Sequence, residues 1–145
     1  MLYFEDFVVG QKFVTASRRV DAAEIIEFAA KYDPQPFHLD AEAAKASLFG
    51  DLAASGWHSA AMMMRLIVDS ELRPAGGIIG GGGELQWLKP VRAGDDLHVE
   101  CEIIELRESR SRPRQGLVKV RNTMFNQHGE AVQTFTPTLL VERRE

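Results

Sequence analysis

Two residues of the kind that exchange protons, Asp33 and His38, lie five positions apart in a segment that also contains Pro34 and Pro36. A carboxylate and an imidazole that converge on one water molecule form a competent acid–base pair, because histidine titrates near neutral pH. The prolines restrict the backbone, which helps to hold two groups at a fixed separation. The segment is therefore a candidate catalytic loop. The alternative is a solvated loop in which Asp40 caps the following helix.

A second candidate, Gly56, follows Ser55 and directly precedes the most apolar segment of the chain, Trp57 to Val68. The first turn of a helix offers unpaired backbone N–H groups and the positive end of the helix dipole. Because glycine has no side chain, a ligand oxygen can approach its backbone closely. These features predict an oxyanion hole at Gly56. The alternative is that Ser55 caps the helix and Gly56 eases the turn.

The elements that must position these residues follow from hydrophobic periodicity and from the prolines. Residues 11–20 are typical of a short strand, and a helix follows from Asp21 to about Tyr32. The prolines disfavour helical geometry at the residues before them, so we expect residues 33–40 to form a stiff extended loop. A short helix from Asp40 to about Leu48 comes next.

The segment from Trp57 to Val68 is apolar on almost every side, which predicts a helix buried on all sides. The second half of the chain supplies alternating strands at 97–103, 118–124 and about 131–141. Short connections between them predict an antiparallel meander, and Pro137 places the third strand at an edge or a bulge. The simplest architecture is an α+β domain in which one antiparallel sheet wraps around a central apolar helix.

Length and composition restrict the class of protein. A chain of 145 residues, 45% hydrophobic and 26% charged, is typical of a single globular domain spanning residues 1–145. Its net charge of -4 argues against nucleic acid as a partner. We expect no membrane association, because no apolar run approaches the ~20 residues needed to span a bilayer. The start lacks the features of a secretory signal, and Cys101 is the only cysteine, so we expect a soluble cytoplasmic protein.

A resemblance to a known family rests on three motifs in order: Asp33-Pro-Gln-Pro-Phe-His38-Leu-Asp40, then Phe49-Gly50, then Ser55-Gly56 before an apolar helix. This order resembles the MaoC-like dehydratase family, which includes the (R)-specific enoyl-CoA hydratases. The similarity continues from Leu85 to Asp95 and covers roughly Asp6 to Val141. The family signature reads Asp-x-Asn-Pro-x-His, and this chain has Gln35 where the signature has asparagine.

The resemblance implies a hot-dog fold, a homodimer as the minimum unit, and an acyl-CoA substrate from fatty acid metabolism. It implies reversible addition of water to a trans-2-enoyl-CoA, giving a (3R)-hydroxyacyl-CoA, with no metal or redox cofactor. Asp33 and His38 match the family's catalytic pair, and Gly56 matches the residue whose N–H receives the thioester oxygen. Further candidates for substrate binding are Ser55, Lys89, Arg92 and Arg121.

Two other functions remain open. Hot-dog thioesterases commonly place a carboxylate on the central helix, and residues 57–68 contain no Asp or Glu. A non-catalytic acyl-CoA-binding module would not need both Asp33 and His38, so their joint presence counts against it. The glutamine at position 35 keeps this second alternative open.

Several other features have less specific chemistry. Four arginines cluster around a turn: Arg107, Arg110, Arg112 and Arg114. We expect these arginines to lie at a solvated hairpin tip. The alternative is that they bind an anionic ligand such as a nucleotide phosphate. The glycine run at 76–83 lacks the ending of a P-loop and predicts a flexible approach to a strand, or else a lid over an acyl pocket. Three histidines lack zinc-ligand spacing and are expected to be structural or solvated: His58, His98 and His128.

Overall fold

The computed structural model describes all 145 residues. Six antiparallel strands form one sheet: β1 (Lys12–Val14), β2 (Arg18–Arg19), β3 (Gly80–Trp87), β4 (Asp96–Glu108), β5 (Gln115–Phe125) and β6 (Ala131–Glu142). Four α-helices accompany it, α1 (Ala22–Tyr32), α2 (Pro36–Leu39), α3 (Ala41–Lys45) and α4 (Gly56–Val68), and a 3₁₀ helix spans Phe4–Asp6. The strand order is β1-β4-β5-β6-β3, and β2 pairs with β4 beside this path. The predicted antiparallel meander is therefore β4-β5-β6.

The sheet is built by strict alternation along its long strands. On β4, the residues Leu97, Val99, Cys101 and Ile103 are fully buried, whereas the residues between them are wholly or partly exposed. They belong to a core of 21 buried residues in which α4 packs against the sheet. The predicted α+β architecture, an antiparallel sheet wrapped around a central helix, is confirmed, and it is the hot-dog arrangement.

The central helix departs from the prediction that it is buried on all sides. The sheet covers one side of α4 and α1 covers another, which leaves a stripe on the third side in contact with solvent. On this stripe Trp57 is 61% exposed and Val68 is 50% exposed, and Met64 lies between them. The stripe repeats every three or four residues, so it is a continuous apolar face of the helix.

The segment between α1 and α4 differs in detail from the extended loop predicted for residues 33–40. Pro36 begins the helical turn α2, because a proline at the first helical position has no N–H that would need an acceptor. Asp40 ends α2 and caps α3, accepting a hydrogen bond from the Glu42 N–H at 3.0 Å. The strand predicted at 11–20 is in fact two short strands, β1 and β2.

The glycine run is also more ordered than predicted. Gly80 to Gly83 begin β3 and pair with Leu139 and Pro137 of β6, so they do not form a flexible approach or a lid. A register shift lies between Gly80 and Gly83. Pro137 therefore lies at a bulge, which was one of its two predicted positions. The other predicted position, an edge strand, is wrong, because β6 pairs with β5 on one side and with β3 on the other.

The only cysteine, Cys101, lies on β4 and is inaccessible to solvent. Burial raises the pKa of its thiol to about 12. The thiol is therefore protonated at physiological pH and packs as a small apolar group. None of the four helices is long and apolar enough to cross a membrane.

Candidate active site

The two proton-exchanging residues are positioned by the turn that joins α1 to α2. Asp33 ends α1, and its N–H donates to the Ala29 carbonyl oxygen at 2.8 Å. His38 lies in α2, and its N–H donates to the Gln35 carbonyl oxygen at 3.0 Å. The pair therefore rests on two hydrogen-bonded helix ends.

The side chains of Asp33 and His38 meet at the bottom of a cleft. His38 Nε2 is 3.3 Å from Asp33 Oδ2, and the two side chains are 7% and 17% exposed, respectively. His38 Nδ1 is 2.6 Å from the Ala53 carbonyl oxygen, which accepts only if that nitrogen carries a proton. Because Nδ1–H is committed to this carbonyl, Nε2 and the carboxylate face each other as two acceptors unless a proton lies between them. The pair is thus built to hold one exchangeable proton, or a water that supplies one.

The surroundings of Asp33 favour its ionised form. Burial alone raises the pKa of this carboxyl, but the nearby Ser55 hydroxyl, the Gln35 amide and His38 together outweigh burial and lower the pKa below its ordinary value. Gln35 Nε2 donates to Asp33 Oδ1 at 2.5 Å. The Ser55 hydroxyl is fully buried and forms no hydrogen bond of standard geometry, so its effect comes from proximity. At neutral pH Asp33 is a carboxylate able to accept a proton.

Gly56 is the first residue of α4, so its N–H has no acceptor within the helix. The Ser55 side chain makes no capping hydrogen bond, although capping was the alternative considered for it. Instead, the Ser55 carbonyl oxygen accepts from the Ser59 backbone N–H at 2.9 Å and from the Ser59 hydroxyl at 3.3 Å. This oxygen belongs to the same peptide unit as the Gly56 N–H, so both bonds fix the direction in which that N–H points.

The structure brings the three predicted catalytic residues together, because Asp33, His38 and Gly56 all line one cleft of roughly 360 Å³. The remaining walls are mostly apolar and aromatic, and they include Phe49, Trp57, Trp87 and Leu88. Apolar walls lower the local dielectric constant and so strengthen the electrostatic interactions inside the cleft. The cleft can therefore position a polar group at Gly56 and exchange protons at Asp33 and His38.

The three basic residues predicted to bind the substrate have different surroundings. Lys89 lines the cleft, where it forms an ion pair with Glu130. Arg92 does not line the cleft, because its guanidinium donates to the Phe49 carbonyl oxygen at 2.5 Å. Arg121 lies on the outer face of β5 and pairs with Glu102 at 2.5 Å. Within one chain, Lys89 alone of these three faces the cleft.

Sequence reasoning assigned no role to Trp57 and Trp87, which form the aromatic wall beside Gly56. Their rings meet edge to face with centroids 5.2 Å apart. Thirty positions separate these residues, and they meet only because the end of β3 lies beside the first turn of α4. The presence of Trp87 inside the family-like segment from Leu85 to Asp95 was the one available signal.

A further histidine, His58, does not line the cleft. His58 is buried, stacks on Phe28 with centroids 4.7 Å apart, and has Nε2 3.3 Å from Glu24 Oε1. Arg18 in turn donates to both oxygens of Glu24, so this cluster ties β2 and α1 to α4. A structural role for His58 agrees with the prediction.

Comparison with known proteins places the chain in a family. A MaoC like domain model matches residues 6–125. The MaoC-like dehydratase of Rhodospirillum rubrum is 52% identical, covers 100% of this chain and 99% of its own, and superposes with a TM-score of 0.96. The (R)-specific enoyl-CoA hydratase of Aeromonas caviae is 35% identical over 70% of this chain and 75% of its own. The 3-hydroxybutyryl-CoA dehydratase of Methylorubrum extorquens is 30% identical over 79% of this chain and 71% of its own. The chain belongs to the MaoC-like dehydratase family, whose hot-dog fold it shares.

Proposed function

We propose that this chain catalyses the reversible addition of water to a trans-2-enoyl-CoA, giving a (3R)-hydroxyacyl-CoA. The observation that carries the proposal is the distance of 3.3 Å between Asp33 Oδ2 and His38 Nε2 in a cleft that Gly56 also lines. Relatives named as an (R)-specific enoyl-CoA hydratase and a 3-hydroxybutyryl-CoA dehydratase support the reaction class.

In the hydration direction, the thioester carbonyl oxygen accepts a hydrogen bond from the Gly56 N–H. The Asp33 carboxylate removes a proton from a water molecule held between Asp33 and His38, and the water oxygen forms a bond to C3. The electrons of the C2–C3 double bond move toward the thioester oxygen as an enolate, whose charge the Gly56 N–H stabilises. Because its pKa is lowered, Asp33 is ionised at neutral pH and can accept this proton.

The second half of the reaction returns a proton to C2. In this proposal the donor is His38 Nε2, which lies 3.3 Å from Asp33 Oδ2 while Nδ1 is engaged with the Ala53 carbonyl oxygen. Asp33 then passes the proton taken from water to His38, which restores the starting state. Dehydration follows the same path in reverse, with Asp33 providing the proton for the leaving hydroxide.

The walls of the cleft have separate roles in this proposal. Phe49, Trp57 and Trp87 contact the bound substrate, whose own bulk displaces water from the cleft, and Lys89 lies where it can meet a phosphate of coenzyme A. Meeting that phosphate requires Lys89 to leave Glu130, which is feasible because both side chains are substantially exposed.

A panel of trans-2-enoyl-CoA esters tests the proposal directly. Hydration removes the conjugated double bond, so we expect absorbance at the enoyl thioester band to fall, with a product of (3R) configuration. Release of free CoA thiol without loss of the double bond would identify a thioesterase instead. Tight binding of the esters with no turnover would identify the acyl-CoA-binding module.

We also propose that the chain acts as a homodimer in the cytoplasm. Strand β3 ends the sheet, so its outer edge has unpaired backbone groups. The apolar stripe of α4 that includes Trp57 and Val68 is uncovered in one chain, and Trp87 and Leu88 are about half exposed. A second copy that pairs along β3 covers both surfaces and extends the sheet. The lone buried cysteine is compatible with a reducing compartment.

A further inference from the structure

His58 is the one buried imidazole outside the proton pair, and it contacts α1 at two points. It is 3% exposed and lies in the first turn of α4, two residues after Gly56. Its Nε2 atom is 3.3 Å from Glu24 Oε1, and its ring stacks on Phe28 with an angle of 9° between the two planes. Because Glu24 and Phe28 are four residues apart, they lie on one face of α1, one turn from each other. The two contacts together restrict both sliding of α1 along its axis and rotation about it.

The carboxylate that His58 contacts is itself attached to the sheet. Arg18 Nη2 donates to both oxygens of Glu24, at 2.7 and 2.9 Å. Arg18 belongs to β2, where it pairs with Leu97 of β4. Glu24 is therefore fixed relative to the sheet against which α4 packs, and His58 joins α1, α4 and the sheet at one point.

An imidazole at this position is not the best choice for stability alone. Burial lowers the pKa of His58, so the ring is neutral at physiological pH and carries one proton. With that proton on Nε2, the ring donates to Glu24, and Nδ1 is left as a buried acceptor without a partner. An unpaired buried acceptor costs free energy, whereas an apolar ring would stack on Phe28 without that cost. The polar contact with Glu24 therefore points to a role other than packing.

The two helices that His58 joins carry the groups of the cleft. Helix α1 ends at Asp33, α4 begins at Gly56, and both residues line the cleft. Phe28 lies five residues before Asp33, which is about 7.5 Å along the helix at a rise of 1.5 Å per residue. A slide of α1 against α4 therefore moves the Asp33 carboxylate relative to the Gly56 N–H by a similar distance.

We propose that His58 is a positioning residue, whose contacts with Glu24 and Phe28 set the place of Asp33 relative to Gly56. Its effect on turnover rests on the hydratase function proposed above, because that reaction needs the base and the oxyanion hole to act on one substrate at once. A misplacement of about 1 Å can lower the rate of such a reaction by about 10²-fold. His58 does not line the cleft, so it acts through the two helices.

Two substitutions at position 58 separate positioning from packing. His58→Phe keeps a ring to stack on Phe28 but removes the donor to Glu24, whereas His58→Gln keeps an N–H donor near the place of Nε2. We expect His58→Phe to lower kcat for enoyl-CoA hydration by about tenfold to a hundredfold without loss of stability in chemical denaturation. His58→Gln should retain most of the wild-type kcat.

The titration of Asp33 reports the alignment of the helices without turnover. Burial raises the pKa of this carboxyl, and the Ser55 hydroxyl at the start of α4 lowers it. We therefore expect the pKa of Asp33, followed by NMR of ¹³C-labelled protein without substrate, to rise in His58→Phe and in Glu24→Ala, because the hydroxyl is then less well aligned. It should keep its wild-type value in His58→Gln. Glu27→Ala is the matched control, because Glu27 is exposed on α1 and pairs with Lys31 instead.

The outcomes distinguish this inference from the hydratase proposal. A wild-type titration of Asp33 in both His58→Phe and Glu24→Ala overturns the inference, whatever their stability or kcat, and so does a wild-type kcat in both. If the wild-type protein hydrates no enoyl-CoA but the pKa of Asp33 still rises in these variants, the hydratase proposal fails and the positioning of Asp33 stands. Glu24→Ala decides the matter if His58→Phe fails to fold, because the Glu24 side chain is 39% exposed and its removal leaves no cavity in the core.

Discussion

The indole Nε1–H of Trp87 donates to the Gly56 carbonyl oxygen at 3.0 Å, and the indole ring packs directly on the Gly56 Cα. A Cβ atom on residue 56 would lie 2.5 Å from Trp87 Cε2, well inside contact distance. Glycine at this position is therefore required by the aromatic wall, and in the proposed reaction it also leaves room for a thioester oxygen. The end of β3 and the start of α4 are held together at the point where the proposed oxyanion hole lies.

Replacing Gly56 with alanine should accordingly damage both stability and activity. Displacement of a packed ring typically costs about 1–3 kcal/mol of unfolding free energy, measurable by chemical denaturation. Gly81→Ala is the matched control, because a Cβ there meets nothing within 4 Å. Adding Trp87→Leu to Gly56→Ala should recover most of the stability. If Gly56→Ala alone unfolds no more readily than Gly81→Ala, the indole does not occupy the position described.

The proton pair should behave as a unit. Asp33→Asn keeps the size of the side chain but cannot accept a proton, and His38→Ala removes the partner. Each change should lower kcat for enoyl-CoA hydration by ~10²–10⁴-fold. Because both groups act on one water, the double variant should be scarcely slower than the poorer single variant. Circular dichroism should show folded proteins, and wild-type turnover by both single variants would contradict the proposed mechanism.

The Gln35 amide should set the acid limit of activity. Asp33 must be ionised to act as base, and its pKa is lowered from the ordinary value of aspartate, so the acid limb of activity lies at a lower pH than an ordinary aspartate would give. Gln35→Leu removes the donor at 2.5 Å, so the pKa of Asp33 should rise and kcat/KM should begin to fall at a higher pH. Gln35→Asn keeps an amide donor and should shift the acid limb less. An unchanged pH profile for Gln35→Leu would show that the hydrogen bond does not control Asp33.

Pairing of two chains should depend on the exposed stripe of α4. Sedimentation at micromolar concentration should show at least a dimer of the wild-type protein. Val68→Asp introduces a charge on the stripe, and burial of an unpaired charge in an interface is costly, so this variant should dissociate toward monomer. Leu48→Asp, at a residue that is 98% exposed in a turn, is the control and should remain associated. A stable, active wild-type monomer would refute the dimer.

Much of the fold and of the candidate site is encoded in local sequence patterns. The features that could not be predicted depend on contacts between residues that are distant in sequence. Alternation along 97–103 correctly predicted a strand whose odd-numbered residues, Cys101 among them, are buried. The two prolines correctly marked the end of α1. The turn α2 escaped prediction because Pro36 is equally compatible with an extended loop and with the first residue of a helix.

The glycines of β3 show a different limit. Glycine has low strand propensity, and Gly80 to Gly83 are extended only because β6 supplies their hydrogen-bond partners. The contact of Trp87 with Gly56 likewise depends on how β3 approaches α4. Alternation along β5 placed Val118, Val120 and Met124 on one strand, and the same period puts Asn122 on their buried face. The alternation did not indicate that a cavity lies beside Asn122.

The burial of Cys101 also makes it a reporter of how the sheet opens. Thiol reagents attack the thiolate, and this sulfur has neither access to solvent nor an appreciable ionised fraction in the native state. Its strand is hydrogen-bonded on both sides near this residue, to Phe13 of β1 and Asn122 of β5. Modification must therefore wait for β4 to separate from its neighbours. Because Cys101 is the only cysteine, the rate of thiol labelling measures how often β4 separates from its neighbours, and no substitution is needed to introduce the reporter.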